Sequence, residues 1–444
     1  MICTAPHKRL LDRIVLALAL LALVSGATSC CRHDTEEDIV PKRVLLIYSA
    51  GFNSLSGYLT TNIADLKEGE YLPKKSSEDI LLLASRLPVS PGNYSVATPT
   101  YLIRVYGDSK GKAVCDTLSV PGLADNAIMS SRSTLKRILD YIDKTWPNCS
   151  YGMVFSSHAT GWLPAGYYAD PGHYDPEWNS GSIFDAPPLN RYDTALPEGA
   201  VPYVEMPSDP DSPPVKSVGQ DVSGSFSFEL SLKDIRESLP FHLDYLLFDA
   251  CLMGGVEVAY ELRNDVDLMG FSQTEVLAEG FDYHKLAGTL LRPDGLGPYG
   301  VCSDYFALYE AQTGQKNSAT ISLVDCRRMG SLTEICRELF DKYREAILAV
   351  DPDSVQRYYR YESHWFYDLR DILIKAGMTS EEKARLDAAL DECILYKAAT
   401  QYFLSIPITS YSGLSMFLPA NGSDYIKNYY KENLSWNTAT GLVQ

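Results

Sequence analysis

Short apolar runs alternate with amphipathic stretches along most of this chain, and each change of pattern predicts a new element. Buried strands are predicted where the apolar runs are short, at residues 43–49, 80–84, 101–106, 151–155, 245–248, 267–272 and 319–324. Helices are predicted where apolar positions recur every three or four residues, at 54–66, 133–142, 230–236, 256–262 and 305–311. Strands alternating with helices indicate an α/β fold, with helices on both faces of a mostly parallel sheet.

One long stretch breaks this rhythm. Residues 163–225 contain eleven prolines and ten acidic residues, but only Arg191 and Lys216 as Arg or Lys residues. Such a composition buries little apolar surface, so it predicts a surface insertion, a flap or a partly disordered segment within a core that spans residues 43–328. The mostly helical pattern that follows predicts a helical subdomain over 329–444, with a strand near 413–419 that returns to the core sheet.

The N-terminus carries an export pattern. Basic residues precede an apolar run at 14–24, which is too short for a permanent membrane span, and small residues follow it. This predicts a signal peptide over residues 1–29. The cysteine that follows resembles the bacterial lipoprotein box, which implies lipidation of Cys30 and a membrane anchor, with Cys31 as the nearby competitor. The alternative is an ordinary signal peptide with cysteines close by.

The residues after the signal peptide bear on the predicted localisation. Residues 30–42 are acid-rich and are similar to the tethers that carry some bacterial lipoproteins to the outer surface of the outer membrane.

The formal net charge of −18 argues against nucleic-acid binding, which needs a basic face. Seven cysteines lie beyond the address segment at irregular spacings, so no disulfide pairing is forced, and the scattered histidines form no zinc pattern.

A thiol stands at one predicted strand end. Cys251 follows the strand at 245–248 and precedes two glycines and the helix at 256–262, which is where open α/β sheets hold their ligands. Helix N-terminal dipoles also favour thiolate over thiol. His158 follows the strand at 151–155 in the same way, so the two side chains are predicted to form a Cys/His dyad. The alternatives are a buried structural thiol and a histidine that only caps its strand.

Three segments resemble one known family. Residues 249–254, Asp-Ala-Cys-Leu-Met-Gly, resemble the nucleophile segment of the clostripain family of cysteine peptidases. Residues 157–162, Ser-His-Ala-Thr-Gly-Trp, are similar to its histidine segment, usually Asp-His-Gly-x-Gly-Trp, and residues 410–419 resemble its late strand. The resemblance runs from about residue 43 to near the C-terminus. It implies a caspase-like three-layer α/β/α sandwich, a peptide or protein substrate and no required cofactor; calcium enters through the resemblance alone.

The resemblance also implies roles for individual residues. Cys251 attacks the scissile carbonyl, while His158 protonates the leaving amine and then activates water. The N–H groups of Cys251 and Ala159 are the candidates for the oxyanion hole, although Ala159 replaces the family's usual glycine. The loop at residues 275–281 also departs from the family, because it lacks the usual Pro-Gly-x-Gly-Trp wording.

Two acids are candidates for substrate binding. Strand alternation puts Asp249 on the same face as Cys251, and in the family this acid lies in the pocket for the residue before the cut bond, where Arg or Lys is preferred. The alternative is that Asp249 accepts backbone N–H groups and shapes the loop. Glu279 adds charge to the same pocket or is a solvated loop residue.

Members of this family can cut themselves between the histidine and cysteine segments. If this enzyme cuts after basic residues, the insertion offers only Arg191 and Lys216, so these are the candidate sites for self-cleavage. The alternative is a permanent flap on an enzyme that works as one chain. A rival class is a catalytically inactive surface lipoprotein that binds peptides on the same scaffold, and a rival enzyme is a transpeptidase.

Overall fold

The computed structural model of the protein describes residues 42–90, 93–168, 171–175, 200–202, 212–216, 221–223, 226–360 and 365–444. The predicted signal peptide, Cys30 and Arg191 lie outside these residues. None of the helices in the described ranges is long and apolar enough to cross a membrane.

The strands vary from two to eight residues in length. They are β1 (Arg43–Ala50), β2 (Asp79–Arg86), β3 (Pro88–Ser90), β4 (Asn93–Ala97), β5 (Tyr101–Gly107), β6 (Ala113–Leu118), β7 (Ser150–Ser156), β8 (Ala200–Pro202), β9 (Asp221–Ser223), β10 (Phe226–Phe228), β11 (Leu243–Asp249), β12 (Val266–Phe271), β13 (Thr320–Asp325), β14 (Tyr367–Asp368), β15 (Ile394–Ala399), β16 (Tyr402–Phe403), β17 (Ile406–Pro407) and β18 (Ser415–Met416).

The α-helices connect these strands and cover the sheet. They are α1 (Ser56–Lys67), α2 (Arg132–Thr145), α3 (Pro171–Tyr174), α4 (Leu232–Ser238), α5 (Val256–Leu262), α6 (Tyr283–Leu291), α7 (Gly297–Glu310), α8 (Gly330–Leu348), α9 (Leu369–Lys375), α10 (Ser380–Cys393), α11 (Asp424–Asn433) and α12 (Ser435–Thr440). Short 3₁₀ turns span Gly314–Lys316, Cys326–Arg328, Pro352–Ser354 and Pro419–Asn421.

A sheet of nine strands, counted over the described residues, runs in the order β15-β13-β12-β11-β7-β1-β2-β5-β6. The five central strands, from β12 to β2, are parallel. The strands at both edges are antiparallel. The central strands are buried along nearly their whole length because helices cover both faces, which is why they appear in the sequence as unbroken apolar runs. The predicted α/β fold with a largely parallel core sheet is confirmed.

The C-terminal part of the sheet differs from the prediction. The expected return of residues 413–419 to the core sheet is not observed, because β18 pairs with β14 in a separate two-stranded sheet and contacts the loop after β11 through Gly254. The strand that returns is β15, which pairs with β13 at the sheet edge and lies in the stretch expected to be helical. The helix predicted over 133–142 is α2, which begins at Arg132 and has Ser131 as its N-cap.

The insertion at 163–225 was expected to bury little, and its described parts are different. Tyr167 is fully buried and packs against Trp365 and Tyr425, so aromatic surface in the first turn of the insertion joins the core. Lys216 and Asp221 are also fully buried, and each has polar partners that offset the loss of water. Lys216 contacts the last residues of β7 and β11, and Asp221 contacts the loop after β1, so these two parts of the insertion lie at the end of the sheet that carries the candidate site.

Candidate active site

The strand register brings the two candidate catalytic residues to one place. β7 and β11 are adjacent and parallel, and their last paired residues are Ser156 and Asp249. His158 lies two residues beyond Ser156, and Cys251 lies two residues beyond Asp249. Both side chains therefore leave neighbouring strands at the same level of the carboxyl edge of the sheet, where α/β folds hold their ligands.

The turn that carries the thiol is tight and strained. Leu252, directly after Cys251, has a φ of +60°, a conformation that costs a non-glycine residue about 1–3 kcal/mol. Its N–H donates to the carbonyl of Thr274 over 2.9 Å, and the Gly254 N–H donates to Ser272 over 2.7 Å. A Cβ on Gly254 would lie only 2.7 Å from the Gln273 backbone nitrogen, so glycine is required for the loop to run this close to its neighbour.

Cys251 is completely buried and is held by one peptide of the facing loop. The Val276 N–H donates to the Cys251 Sγ over 3.0 Å. Burial raises the pKa of the Cys251 thiol well above its ordinary value, and the nearby Glu275 carboxylate raises it further. Arg360 binds Glu275 through two contacts of 2.7 and 3.1 Å and so balances part of that charge.

His158 is only 5% exposed. Its Nε2 lies 3.2 Å from the hydroxyl oxygen of Ser54, and its Nδ1 is buried without a hydrogen-bond partner in the described part of the chain. Burial lowers the pKa of His158 to about 3; the Lys216 backbone opposes this effect, and the charge of Lys216 adds to it. Burial therefore favours the uncharged form of both the His158 imidazole and the Cys251 thiol.

A segment of the insertion lies beside His158 and the loop at 276–278 in an extended conformation. The Lys216 N–H donates to the Val276 carbonyl over 2.8 Å, and the Ala278 N–H donates to the Pro214 carbonyl over 2.9 Å. Val215 and Leu277 form the antiparallel bridge between these two bonds. Residues 214–216 thus add a short strand to the loop at 276–278, which is how extended peptides bind along a free backbone edge.

The side chain of Lys216 enters a closed pocket whose base is Asp249. Its ammonium group pairs with Oδ2 of Asp249 and also donates to the Ser156 hydroxyl over 3.2 Å and to the Asp249 carbonyl over 3.3 Å. The Ser156 and Tyr283 hydroxyls donate to the same Oδ2 over 2.9 and 2.8 Å. All three donors of the ammonium group are satisfied, although both charges are fully buried.

Gly280 forms one wall of this pocket. Its φ is +72°, and a Cβ there would lie 2.4 Å from Oδ1 of Asp249 and 2.6 Å from Nζ of Lys216. The Tyr309 hydroxyl donates to the Gly280 carbonyl over 2.8 Å and fixes the wall in place. A glycine is therefore needed for a long basic side chain to reach Asp249.

The remaining candidates lie outside this cluster. Glu279 contacts Lys316 at 3.4 Å with a carboxylate that is 43% exposed, so it does not join Asp249 at the pocket base. Trp162 is buried against Phe417 and Tyr430 and is a packing residue. Ala159 is partly exposed beside His158. In the described ranges, no three His, Cys, Asp or Glu side chains are arranged to hold a metal ion.

Several residues of the site were absent from the predictions. Ser54 touches His158, Tyr283 and Gly280 shape the pocket, and Arg360 neutralises Glu275. Each is an ordinary loop or helix residue in the sequence, and only the packing of distant segments brings them together. The positive φ of Gly280 is the sole local constraint, and a glycine in a loop does not by itself predict a pocket.

A parallel α/β sheet with a thiol and an imidazole at adjacent strand ends, and a peptide strand laid across them, defines a cysteine-type peptidase. The sequence profile of the clostripain family, peptidase family C11, matches residues 207–441, which is more than half of the chain. The chain belongs to that family, so the resemblance seen in the sequence is confirmed. A search of curated proteins found no match.

Solved structures share this fold over most of the chain. An inactive zymogen of a C11 protease from Parabacteroides distasonis is 25% identical, with a TM-score of 0.67, and the match covers 90% of this chain and 98% of that one. A secreted C11 cysteine protease from Bacteroides thetaiotaomicron, in complex with an irreversible peptide inhibitor, is 21% identical, with a TM-score of 0.66 and coverage of 90% and 98%. The second likeness concerns the fold alone.

Proposed function

We propose that the protein is an endopeptidase in which Cys251 and His158 form the catalytic dyad. The observation that carries this proposal is the strand register, which sets both side chains two residues beyond a paired position on adjacent strands. Cys251 attacks the scissile carbonyl as a thiolate, and protonated His158 gives its proton to the leaving amine. His158 then activates water, which releases the acyl group from sulfur. The N–H groups of Cys251 and Ala159 are the proposed oxyanion donors.

The proposed specificity is for Arg or Lys before the cut bond. Lys216 supports it, because its main chain pairs with the loop as a substrate strand would and its ammonium group binds Asp249. Oδ1 of Asp249 has no hydrogen-bond partner among the described residues while lysine fills the pocket. The planar fork of an arginine substrate can donate to both carboxylate oxygens, so arginine should be preferred over lysine.

The same geometry supports self-cleavage after Lys216. In the uncut chain, residues 214–216 keep water from the dyad. They so favour the uncharged thiol and imidazole, which are the unreactive forms. Once the segment leaves, hydration returns the pKa of His158 and that of Cys251 towards their ordinary values. The uncut protein is thus a proposed zymogen. Arg191, the other candidate, lies outside the described residues and has no comparable support.

The test compares wild type with Cys251→Ala and His158→Ala, using a peptide library read by mass spectrometry and N-terminal sequencing of the protein itself. Wild type should cut the library after Arg and Lys and yield a new chain that begins at Ser217, and both variants should do neither. Cys302→Ala, which removes a buried thiol far along the sequence, is the matched control and should behave as wild type. Turnover by the Cys251→Ala protein would rule out the dyad.

Asp249→Asn separates specificity from catalysis. The amide keeps the shape of the pocket but loses the charge, so turnover of Arg and Lys substrates should fall while residual cleavage after uncharged residues is retained. A library profile without a basic preference in wild type would remove the proposed role of Asp249 and leave that of Cys251 intact.

We also propose export as a lipoprotein anchored to the outer membrane through Cys30 and exposed at the cell surface. The support is the order of basic, apolar and small residues before Cys30 and the acidic residues after it. Metabolic labelling with a fatty acid should mark wild type and leave Cys30→Ala unlabelled. Label retained on Cys30→Ala but lost from Cys31→Ala would move the anchor by one residue.

A further inference from the structure

The loop between β1 and α1 lies beside the dyad on the side away from Cys251. β1 is the other neighbour of β7, and Ser49 pairs with Ser156 in the parallel register. Residues 51–55 therefore leave the sheet at the same edge as His158. The proposed mechanism assigns this loop no role.

One side chain of the loop reaches the imidazole. The Oγ of Ser54 lies 3.2 Å from Nε2 of His158. Nδ1 of the same ring is buried and forms no side-chain hydrogen bond with the described residues, and the Lys216 backbone lies against the ring in the uncut chain. When Nε2 carries the proton, its N–H donates to Ser54 Oγ and Nδ1 keeps a free lone pair. In the proposed mechanism, that lone pair accepts the thiol proton of Cys251.

The loop backbone is fixed on both sides of Ser54. The Asn53 carboxamide oxygen accepts the Leu55 N–H over 2.9 Å, and its nitrogen donates to the Ala50 carbonyl over 3.3 Å. One residue earlier, the Phe52 N–H donates to the buried carboxylate of Asp221 over 3.3 Å. An exposed serine is therefore held at a defined position, although its own side chain is not packed.

We propose that Ser54 is the positioning residue for His158. It fixes the tautomer that carries its proton on Nε2, and it stabilises the imidazolium that forms when Nδ1 takes the thiol proton. This inference rests on the proposed Cys251–His158 mechanism. Ser54 does not touch the reacting atoms; it acts through the ring that does.

The test uses self-processed enzyme with Ser54 changed to Ala, Thr or Asp, and measures kcat, KM and the pH profile of kcat/KM. Ser54→Ala should lower kcat by about five- to tenfold, the value of one hydrogen bond to the ring, with KM unchanged. The basic limb of the pH profile of kcat/KM reports loss of the imidazolium proton. In Ser54→Ala this limb should move to lower pH by roughly half a unit. Ser54→Thr should restore both properties because it keeps the hydroxyl.

Ser54→Asp gives the opposite sign. A carboxylate beside Nε2–H favours the imidazolium, so the basic limb should move to higher pH than in wild type. Ser331→Ala, which removes another exposed serine hydroxyl, is the matched control and should change nothing. A wild-type profile for Ser54→Ala, or shifts of the same sign for Ala and Asp, would overturn the proposal.

A second readout does not depend on turnover. In protein labelled with ¹⁵N-histidine, with the Cys251→Ala substitution, the His158 resonances should report a proton on Nε2 with Ser54 present and a mixture of tautomers with Ser54→Ala. An unchanged tautomer would overturn the role of Ser54 even if the dyad is correct. If instead Cys251→Ala retains full peptidase activity, the proposed mechanism fails first, and the positioning role fails with it.

Discussion

The pocket that binds Lys216 allows a quantitative test of how firmly the chain closes its own site. We consider Lys216→Met in the inactive Cys251→Ala background. Methionine keeps the two main-chain bonds at 276–278 and most of the length of the side chain, but it cannot pair with Asp249. The probe is benzamidine, a small aromatic amidine that can bind the vacated carboxylate.

The magnitude follows from the contacts. The ammonium group of Lys216 has three oxygen acceptors and is fully buried, as is Asp249. Breaking such a pair on one side costs about 3–5 kcal/mol. Asp249 keeps its bonds from Ser156 and Tyr283, so the lower value, about 3 kcal/mol, applies. The seated state should lose that much relative to the open state.

Calorimetry of benzamidine binding measures this difference directly. A probe that binds only the open state loses affinity in proportion to the population of that state, so about 3 kcal/mol corresponds to roughly a hundredfold tighter apparent binding in Lys216→Met. Lys216→Arg is the matched control and should stay closed, because its guanidinium still donates to Asp249. Equal affinities for the Lys216, Met and Arg proteins would refute the reasoning.

Three further outcomes follow from the site and the core. In the Lys216→Met, Cys251→Ala protein, whose pocket holds no ammonium group, Gly280→Ala should weaken benzamidine binding by about tenfold or more through overpacking at the carboxylate, whereas Gly111→Ala, with similar φ and open space, should not. Burial raises the pKa of Glu257 from 4.5 to about 7. The contribution of the protonated carboxyl to the free energy of unfolding is therefore complete below pH 4.5, and about 3 kcal/mol is lost as the pH rises through 7. Glu257→Gln should therefore raise the melting temperature at pH 8 and not at pH 4; an equal gain at both would contradict this. Burial lowers the pKa of His158 from 6.5 to about 3. The contribution of the neutral ring to the stability of the fold is therefore complete above pH 6.5 and is lost as the pH falls through 3. In the inactive background, His158→Gln should make unfolding less dependent on acid, and an unchanged acid-unfolding curve would refute this.

The positions of Cys251 and His158 could be predicted because the signals are local. A short apolar run followed by small residues predicts a strand end, and parallel strands end at the same edge of the sheet. β15 could not be predicted in this way. It follows α10 with no turn residue between them, and its strand conformation depends on pairing with β13, a contact between residues about 75 positions apart.

The burial of Lys216 was equally hidden. A lone lysine in an acidic, proline-rich stretch predicts solvent, and only the folded chain shows that Asp249, Ser156 and the loop at 276–278 provide its partners. Ser54 likewise resembles any serine in a turn. The sequence could therefore indicate the proposed nucleophile and base, whereas the contacts of Ser54 and Lys216 with the site depend on long-range packing.

The segment at residues 212–216 is also a template for a chemical probe of the site. Residues 212–216 read Ser-Pro-Pro-Val-Lys, and the two prolines fix φ near −65°, so a peptide of this sequence loses little conformational freedom when it lies extended along 276–278. With a thiol-reactive group in place of the bond after lysine, this peptide would direct that group to Cys251. Because the template comes from this chain's own insertion, such a reagent should distinguish this enzyme from relatives whose insertions differ.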